Sequence, residues 1–167
     1  MEPSVPAAAT RNVGKMITVV QKVLEACVRI EGIAVGHIQR GLLLLVGVAK
    51  GDSEADADIT AKKISSLRIF EGRTPMDLTI KEIQGSCLVV SQFTLVGKLH
   101  KGNRPSFDGA EDPIRAQALY ERVVAQLRAA DVPVQTGRFG RDMQVSLVND
   151  GPVTFIVQTA AGSLLKS

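Results

Sequence analysis

Four short stretches carry the residue types that chemistry needs. "VVSQFTL" places Ser91, Gln92 and Thr94, with Phe93 among them, near the end of an otherwise apolar run. Strand alternation predicts Ser91, Phe93 and Leu95 on one face and Gln92 and Thr94 on the other. A serine or threonine hydroxyl becomes a nucleophile only with a base in hydrogen-bond reach, itself oriented by a third group. His100 is near in sequence, but no orienting acid accompanies it, and a strand end turning polar as it leaves the core accounts for the same residues. "KLHKGNRPSF" gathers Lys98, His100, Lys101 and Arg104 before Phe107. That is the composition of a solvated loop, and also of a flexible phosphate clamp. "TGRFG" sets Phe139 beside Gly140, as a core plug or as a stacking platform for a base. The fourth stretch, "NDGPVT" at 149–154, lies between two alternating runs and looks like a hairpin turn. Pro152 follows the glycine directly, where a strand should begin, and proline removes a ladder donor and readily takes a cis peptide bond. The stretch is therefore either a turn ending at an edge strand or a rigid backbone elbow that points carbonyls at a ligand.

No metal chemistry is indicated. Cys27, Cys87, His37 and His100 are few and scattered, whereas zinc ligand pairs usually fall about two to five residues apart. Both cysteines sit in apolar, strand-like segments and read as small core residues of a reducing compartment. The net charge of +3 does not by itself demand nucleic acid.

The elements that must position these residues follow from periodicity. A chain of 167 residues, 45% hydrophobic, suits one globular domain with a sizeable core. Residues 1–15, "MEPSVPAAATRNVGK", lack periodicity and are expected to be a disordered extension. With no apolar leader and no run of the roughly 20 residues needed to span a bilayer, a cytoplasmic protein without membrane contact is expected. "MITVVQKV" and "LEACVRI" alternate as two strands, "IAVGHI" is a third, and "LLLLVGV" is a buried strand. Ser53, with Asp56 three residues on, caps a helix whose Ala57, Ala61, Ile64 and Leu67 form an apolar stripe. "SCLVVSQFTLV" (86–96) reads as one strand. Asp112 and Pro113 open a second helix, with Ala116, Leu119, Val123, Leu127 and Ala130 on one face. "VPVQTGRFGRDM", "MQVSLVN" and "PVTFIVQ" return to strand. The fold class is α+β, one sheet-rich domain with two helices.

Together, "ITVVQKV", "VVSQFTL", "KGNRPSF" and "VPVQTGRFGRDMQVSLVNDGPVTF" resemble the D-aminoacyl-tRNA deacylase family from Met16 to about Gln158, so that 16–167 would be its domain. The resemblance implies a mostly antiparallel, barrel-like sheet and a homodimer with composite sites at the subunit interface, needing no cofactor and no metal. It implies hydrolysis of the ester joining a D-amino acid to the 3′-terminal adenosine of tRNA, with glycyl-tRNA, including glycine mischarged on tRNA-Ala, also accepted. It assigns Gly151 and Pro152 to a cis elbow that crosses into the partner's pocket and rejects L-amino acids, with Asn149 and Thr154 fixing it. Catalysis would be assisted by the RNA 2′-hydroxyl, with backbone N–H groups around Phe93 and Thr94 holding the oxyanion and Ser91 and Gln92 shaping the pocket. Phe139, Gly140 and Met143 would border the adenosine, and Lys98, Lys101 and Arg104 the phosphates. Thr94 as a covalent nucleophile and a non-catalytic tRNA-binding module are the alternatives. One position departs from the family pattern: Lys22 stands in Gln21-Lys22-Val23 where an arginine commonly buttresses the elbow. A lysine cannot reproduce a forked contact, which leaves the isomer of the Gly151–Pro152 bond, and strictness against L-residues, open. The plain alternative is that Lys22 points to solvent.

Overall fold

The computed structural model describes residues 14–166. Apart from Gly14 and Lys15, the expected extension over 1–15 lies outside the described residues. The two strands expected before the first turn are one strand, β1 (Met16–Ile30), whose alternation slips in its middle, with Lys22 and Val23 both buried and Leu24 and Glu25 both exposed. A change of phase reads as a break in sequence, but a bulge accommodates it without ending the strand. After the Glu31–Gly32 turn come β2 (Ile33–Ile38) and β3 (Gly41–Gly47), both antiparallel to β1. β3 is buried on both faces, which is why its sequence is a continuous apolar run rather than an alternating one.

Helix α1 (Glu54–Ser66) begins on the expected capping box, in which Ser53 and Asp56 satisfy each other's backbone N–H. β4 (Ser86–Ser91) then pairs parallel to β3, and after α2 (Pro113–Ala129) the short β5 (Val134–Thr136) pairs parallel to β4. Asp112 caps α2, accepting from Ile114 N–H at 3.1 Å, with Pro113 in the first turn. The two helices are clamped by Arg122, which donates to both carboxylate oxygens of Asp58 at 2.6 and 3.0 Å. β6 (Gln144–Ala160) returns along the full length of β1, and β7 (Ser163–Leu164) ends the sheet.

The sheet order is β5-β4-β3-β1-β6-β7, with β2 paired to the far half of β1. Four of the six strand pairings are antiparallel and two parallel, and the sheet curls into a half-barrel. Gly36 shows the curl: a Cβ there would lie 2.6 Å from the Thr136 carbonyl and 3.0 Å from Leu88, so β2 leans across onto β4 and β5 at a point only glycine allows. Two cores result. Val23, Val28, Ile38, Leu43 and Leu88 fill the inside of the curl, while Met16, Leu44, Phe70, Leu119 and Leu127 lie between the sheet and the helices. Both cysteines are free and buried.

Asp52, between β3 and α1, is only 1% exposed. Its Oδ2 accepts from Ala49 N–H at 2.7 Å, while Oδ1 forms no hydrogen bond among the described residues. Burial, with Asp56 and Glu111 nearby, pushes its carboxyl from 3.8 up to about 7. The folded state thus holds this proton more tightly than the unfolded chain, so the contribution is intact below about pH 4 and is lost as pH rises through about 7. Asp52→Asn keeps an acceptor for Ala49 and removes the charge. Its melting temperature relative to the parent should rise between pH 5 and pH 8; a pH-independent difference would rule this account out.

Candidate active site

β4 does not continue to residue 96. Its last ladder partner is Val46, opposite Ser91, and Gln92 N–H adds one more bond to the Val46 carbonyl at 2.8 Å. β3 ends at Gly47, so the backbone beyond has no ladder to join and satisfies itself locally. Phe93–Val96 forms a 3-10 turn, closed by Leu95 N–H to Gln92 O at 3.2 Å and Gly97 N–H to Thr94 O at 3.0 Å. The alternation expected for Phe93 and Leu95 is therefore lost. Phe93 is 56% exposed and Val96 is buried. The first N–H groups of such a turn point outward without an intrahelical partner. Those of Phe93 and Thr94 have no hydrogen-bond partner among the described residues. Thr94 Oγ1 accepts from the Gln92 side-chain amide, and no histidine, lysine or carboxylate among the described residues bonds to it.

The basic loop folds back as a small hairpin. Lys98 and Ser106 exchange backbone bonds of 2.8 and 2.9 Å, leaving Lys101 and Arg104 exposed beyond them. Phe107 then lies edge-on to Phe93, with ring centroids 5.1 Å apart.

Beside the turn opens a cavity of about 510 Å³. Ser91, Gln92 and Phe93 form one wall, and Phe139, Gly140 and Met143, from the loop between β5 and β6, form another. Phe139 is plug and wall together: it packs on the core between the sheet and the helices and meets the Tyr120 ring at 6.1 Å. Tyr120 is buried and donates to the Val89 carbonyl at 2.7 Å, and burial pushes its phenol up to about 12, so it remains a fixed donor. Gly140 has φ +76, the left-handed region. Met143 tucks under the same loop, its sulfur accepting from Arg138 N–H at 3.3 Å. Sequence reasoning missed Tyr120, which backs Phe139, and Glu111, which lines the cavity. Tyr120 sits one position off the apolar stripe of α2, and nothing local shows that its hydroxyl faces β4.

Asn149 to Thr154 is not a hairpin turn. Both flanks pair with the same strand, Val23 with Asn149 and Gln21 with Thr154. Four residues of β6, Asp150 to Val153, therefore stand opposite Lys22 alone, and they bulge out of the sheet with Gly151 and Pro152 exposed. The Gly151–Pro152 bond is cis, and Gly151 has φ +128, where only glycine is unstrained. Asn149 holds the base of the bulge, donating to the carbonyls of Lys22 at 2.8 Å and Val153 at 3.0 Å. Thr154 Oγ1 accepts from the Gln21 amide at 3.4 Å. Lys22 does not point to solvent. It is buried, with Nζ 3.8 Å from Asp150 Oδ2 and 5.8 Å from the centre of the Phe70 ring. The bulge does not line the 510 Å³ cavity of its own chain; Lys98, Lys101 and Arg104 do not line it either.

A sequence profile described as D-Tyr-tRNA(Tyr) deacylase matches residues 19–158, from within β1 to within the bulged strand β6. The chain belongs to the D-Tyr-tRNA(Tyr) deacylase family. It is 51% identical over 149 residues to the D-aminoacyl-tRNA deacylase of Geobacter sulfurreducens, covering 89% of this chain and 98% of that protein. It is also 51% identical over 147 residues to the enzyme of the same name from Lacticaseibacillus casei, covering 87% and 99%. Among solved structures it resembles the c-Myc DNA Unwinding Element Binding Protein, with TM-score 0.81 and 34% identity over 87% of this chain and all of the other. A probable eukaryotic D-amino acid tRNA deacylase shares the fold at TM-score 0.73 and 16% identity, again over 87% of this chain and 100% of that one. This member of the deacylase family is thus a hydrolase of ester bonds, and among its described residues no three His, Cys, Asp or Glu side chains gather as a metal site.

Proposed function

We propose that this chain hydrolyses the ester between a D-amino acid and the 3′-terminal adenosine of tRNA. Glycyl-tRNA, including glycine mischarged on tRNA-Ala, is a further substrate. The observation that carries the reading is the cavity in which Ser91, Gln92 and Phe93 face Phe139, Gly140 and Met143 across about 510 Å³, beside two unpaired N–H groups. The adenosine lies against Phe139, Gly140 and Met143, and the ester carbonyl faces the turn. Water adds to that carbonyl, assisted by the neighbouring ribose 2′-hydroxyl, and the N–H groups of Phe93 and Thr94 donate to the developing oxyanion. The ribose 3′-oxygen then leaves with a proton. Ser91 and Gln92 hold the turn and pocket in shape, while Lys98, Lys101 and Arg104 meet phosphates.

In this reading the Gly151-Pro152 elbow reaches the pocket of a second copy, where its carbonyls occupy the space an L-side chain needs. Support comes from the exposed bulge, which lies away from its own cavity, and from exposed apolar residues of β6 on either side of it: Val148, Phe155 and Ile156 are 45%, 42% and 60% exposed. Two-fold pairing around the bulge would make two equivalent sites. Light scattering should find a dimer; full activity in a monomer would overturn this part.

The test of function is ester loss from matched D-, L- and glycyl-tRNA, with and without a chelator. D- and glycyl-esters should be cleaved in both conditions and L-esters spared. Failure to cleave any D-ester would overturn the reading. Thr94→Ala retains its backbone N–H and loses one hydroxyl contact, so a rate loss of about tenfold is expected. An acyl-enzyme trapped on Thr94 would replace the mechanism by covalent catalysis.

A further inference from the structure

A second cleft, of about 340 Å³, lies along the other side of the catalytic turn. Its lining includes Leu95, Val96 and Gly97 from the turn and its end, and three lysines from three separate segments: Lys15 just before β1, Lys50 after β3, and Lys98 at the base of the hairpin. Among the described residues, no aspartate or glutamate lines it. None of the three lysines forms a salt bridge among the described residues. The nearby carboxylate of Asp52 is shut away behind Gly14, whose Cβ would fall 2.8 Å from its Oδ1. Three lysines from separate segments, with no acidic residue beside them among the described lining, make the cleft a positive surface that attracts an anion.

The cleft is also built, rather than formed by loose side chains. Lys50 N–H donates to the Gly109 carbonyl at 2.9 Å, tying the hairpin base to the end of β3. The Lys98 stem lies across Gly109, its Cε 3.8 Å from where a Cβ would stand. Gly14 approaches so closely that a Cβ would overlap the Lys50 carbonyl at 2.1 Å.

We propose that this cleft binds a backbone phosphate of the RNA strand leading to the terminal adenosine, with Lys15 and Lys50 as its contacts together with Lys98. The inference rests on the deacylase reading above and adds these two residues to it. Only the four-residue turn separates the cleft from the cavity, so one strand can place its last base in the cavity and an upstream phosphate in the cleft. Exposed Lys101 and Arg104 extend the same positive surface outward.

The test compares D-tyrosyl-tRNA with D-tyrosyl-adenosine, which carries the ester but no phosphate. Lys15→Gln/Lys50→Gln should raise KM for the tRNA about tenfold and reduce the slope of log KM against log salt by about 1.4, two contacts at roughly 0.7 each for single-stranded RNA. Hydrolysis of D-tyrosyl-adenosine should not change. Lys15→Arg/Lys50→Arg should retain tRNA affinity. An unaltered KM and salt slope for the tRNA in the glutamine variant would overturn the inference while leaving the function standing. Absence of D-ester cleavage by the parent protein would instead overturn the function. A readout free of any folding effect comes from the parent alone: cytidylyl-(3′,5′)-adenosine bearing the D-tyrosyl ester should show a lower KM than D-tyrosyl-adenosine at low salt, and the gap should close as salt rises. Equal KM values for the two at low salt would also overturn the inference.

Discussion

Gly47→Ala is expected to slow hydrolysis of D-tyrosyl-tRNA about 10²-fold in a protein that still folds and still binds its substrate. Gly47 is the last residue of β3, and the Phe93–Val96 turn rests on it. A Cβ at this position would lie 2.9 Å from Leu95 Cβ and 3.1 Å from the Gln92 carbonyl oxygen. Neither contact is the free end of a flexible side chain, so the turn itself must move. The bond from Gln92 N–H to the Val46 carbonyl, 2.8 Å long, is the tether that this movement strains. The N–H groups of Phe93 and Thr94 are displaced with the turn, and a misplacement on the order of 1 Å in a preorganised site costs about two powers of ten. The opposite wall of the cavity, built from Phe139, Gly140 and Met143 and proposed above to hold the adenosine, is untouched, so the loss should fall on kcat rather than KM. Single-turnover rates at saturating enzyme, with melting curves alongside, decide it. A folded variant with the parent's rate would remove the turn from the chemistry.

Asn149→Ala is expected to relax chiral selection by roughly 30-fold, corresponding to two hydrogen bonds worth about 1 kcal/mol each. One amide nitrogen bridges the carbonyls of Lys22 and Val153, so it ties both ends of the bulge to β1 and to each other. Lys22 cannot substitute for it, because its ammonium stands 3.8 Å from Asp150 and bonds to no carbonyl of the elbow. The bulge would then move as a looser loop, and in the dimer proposed above its carbonyls would no longer hold a single position in the second copy's pocket. Cleavage of L-alanyl-tRNA should rise while D-alanyl-tRNA cleavage stays within a few-fold of the parent. If both rates fell together, Asn149 would serve the stability of the sheet and not the selection of substrate.

The helices were legible because their signals are local. Ser53 with Asp56, and Asp112 with Pro113, satisfy backbone donors within one turn, and the apolar stripes follow at helical spacing. The runs in β3 and β4 likewise state their own burial. So do the residues with chemistry to offer: Ser91, Gln92, Phe93, Phe139 and Gly140 are conspicuous by type, and the structure gathers them at one cavity. Lys98, Lys101 and Arg104 are equally conspicuous as a cluster, and they fall outside it.

Where strands end, and what they end against, was decided only by tertiary structure. "SCLVVSQFTLV" alternates well enough to be one strand, yet it turns after Gln92 because β3 stops and leaves no ladder beyond. "NDGPVT" has the composition of a hairpin, yet it bulges from a single strand because β1 runs uninterrupted along both of its flanks. Lys22 has the character of a surface residue, but the bulge opposite and Phe70 enclose it. The reason is the same in each case. A cap or a stripe is completed by residues a few positions away, whereas strand register and burial depend on partners more than a hundred residues distant, such as Gln21 with Thr154. The sequence by itself determined the helices and the chemically competent residues; the pairing of β1 with β3 and β6 decided that those residues would form a turn, a cavity and an elbow.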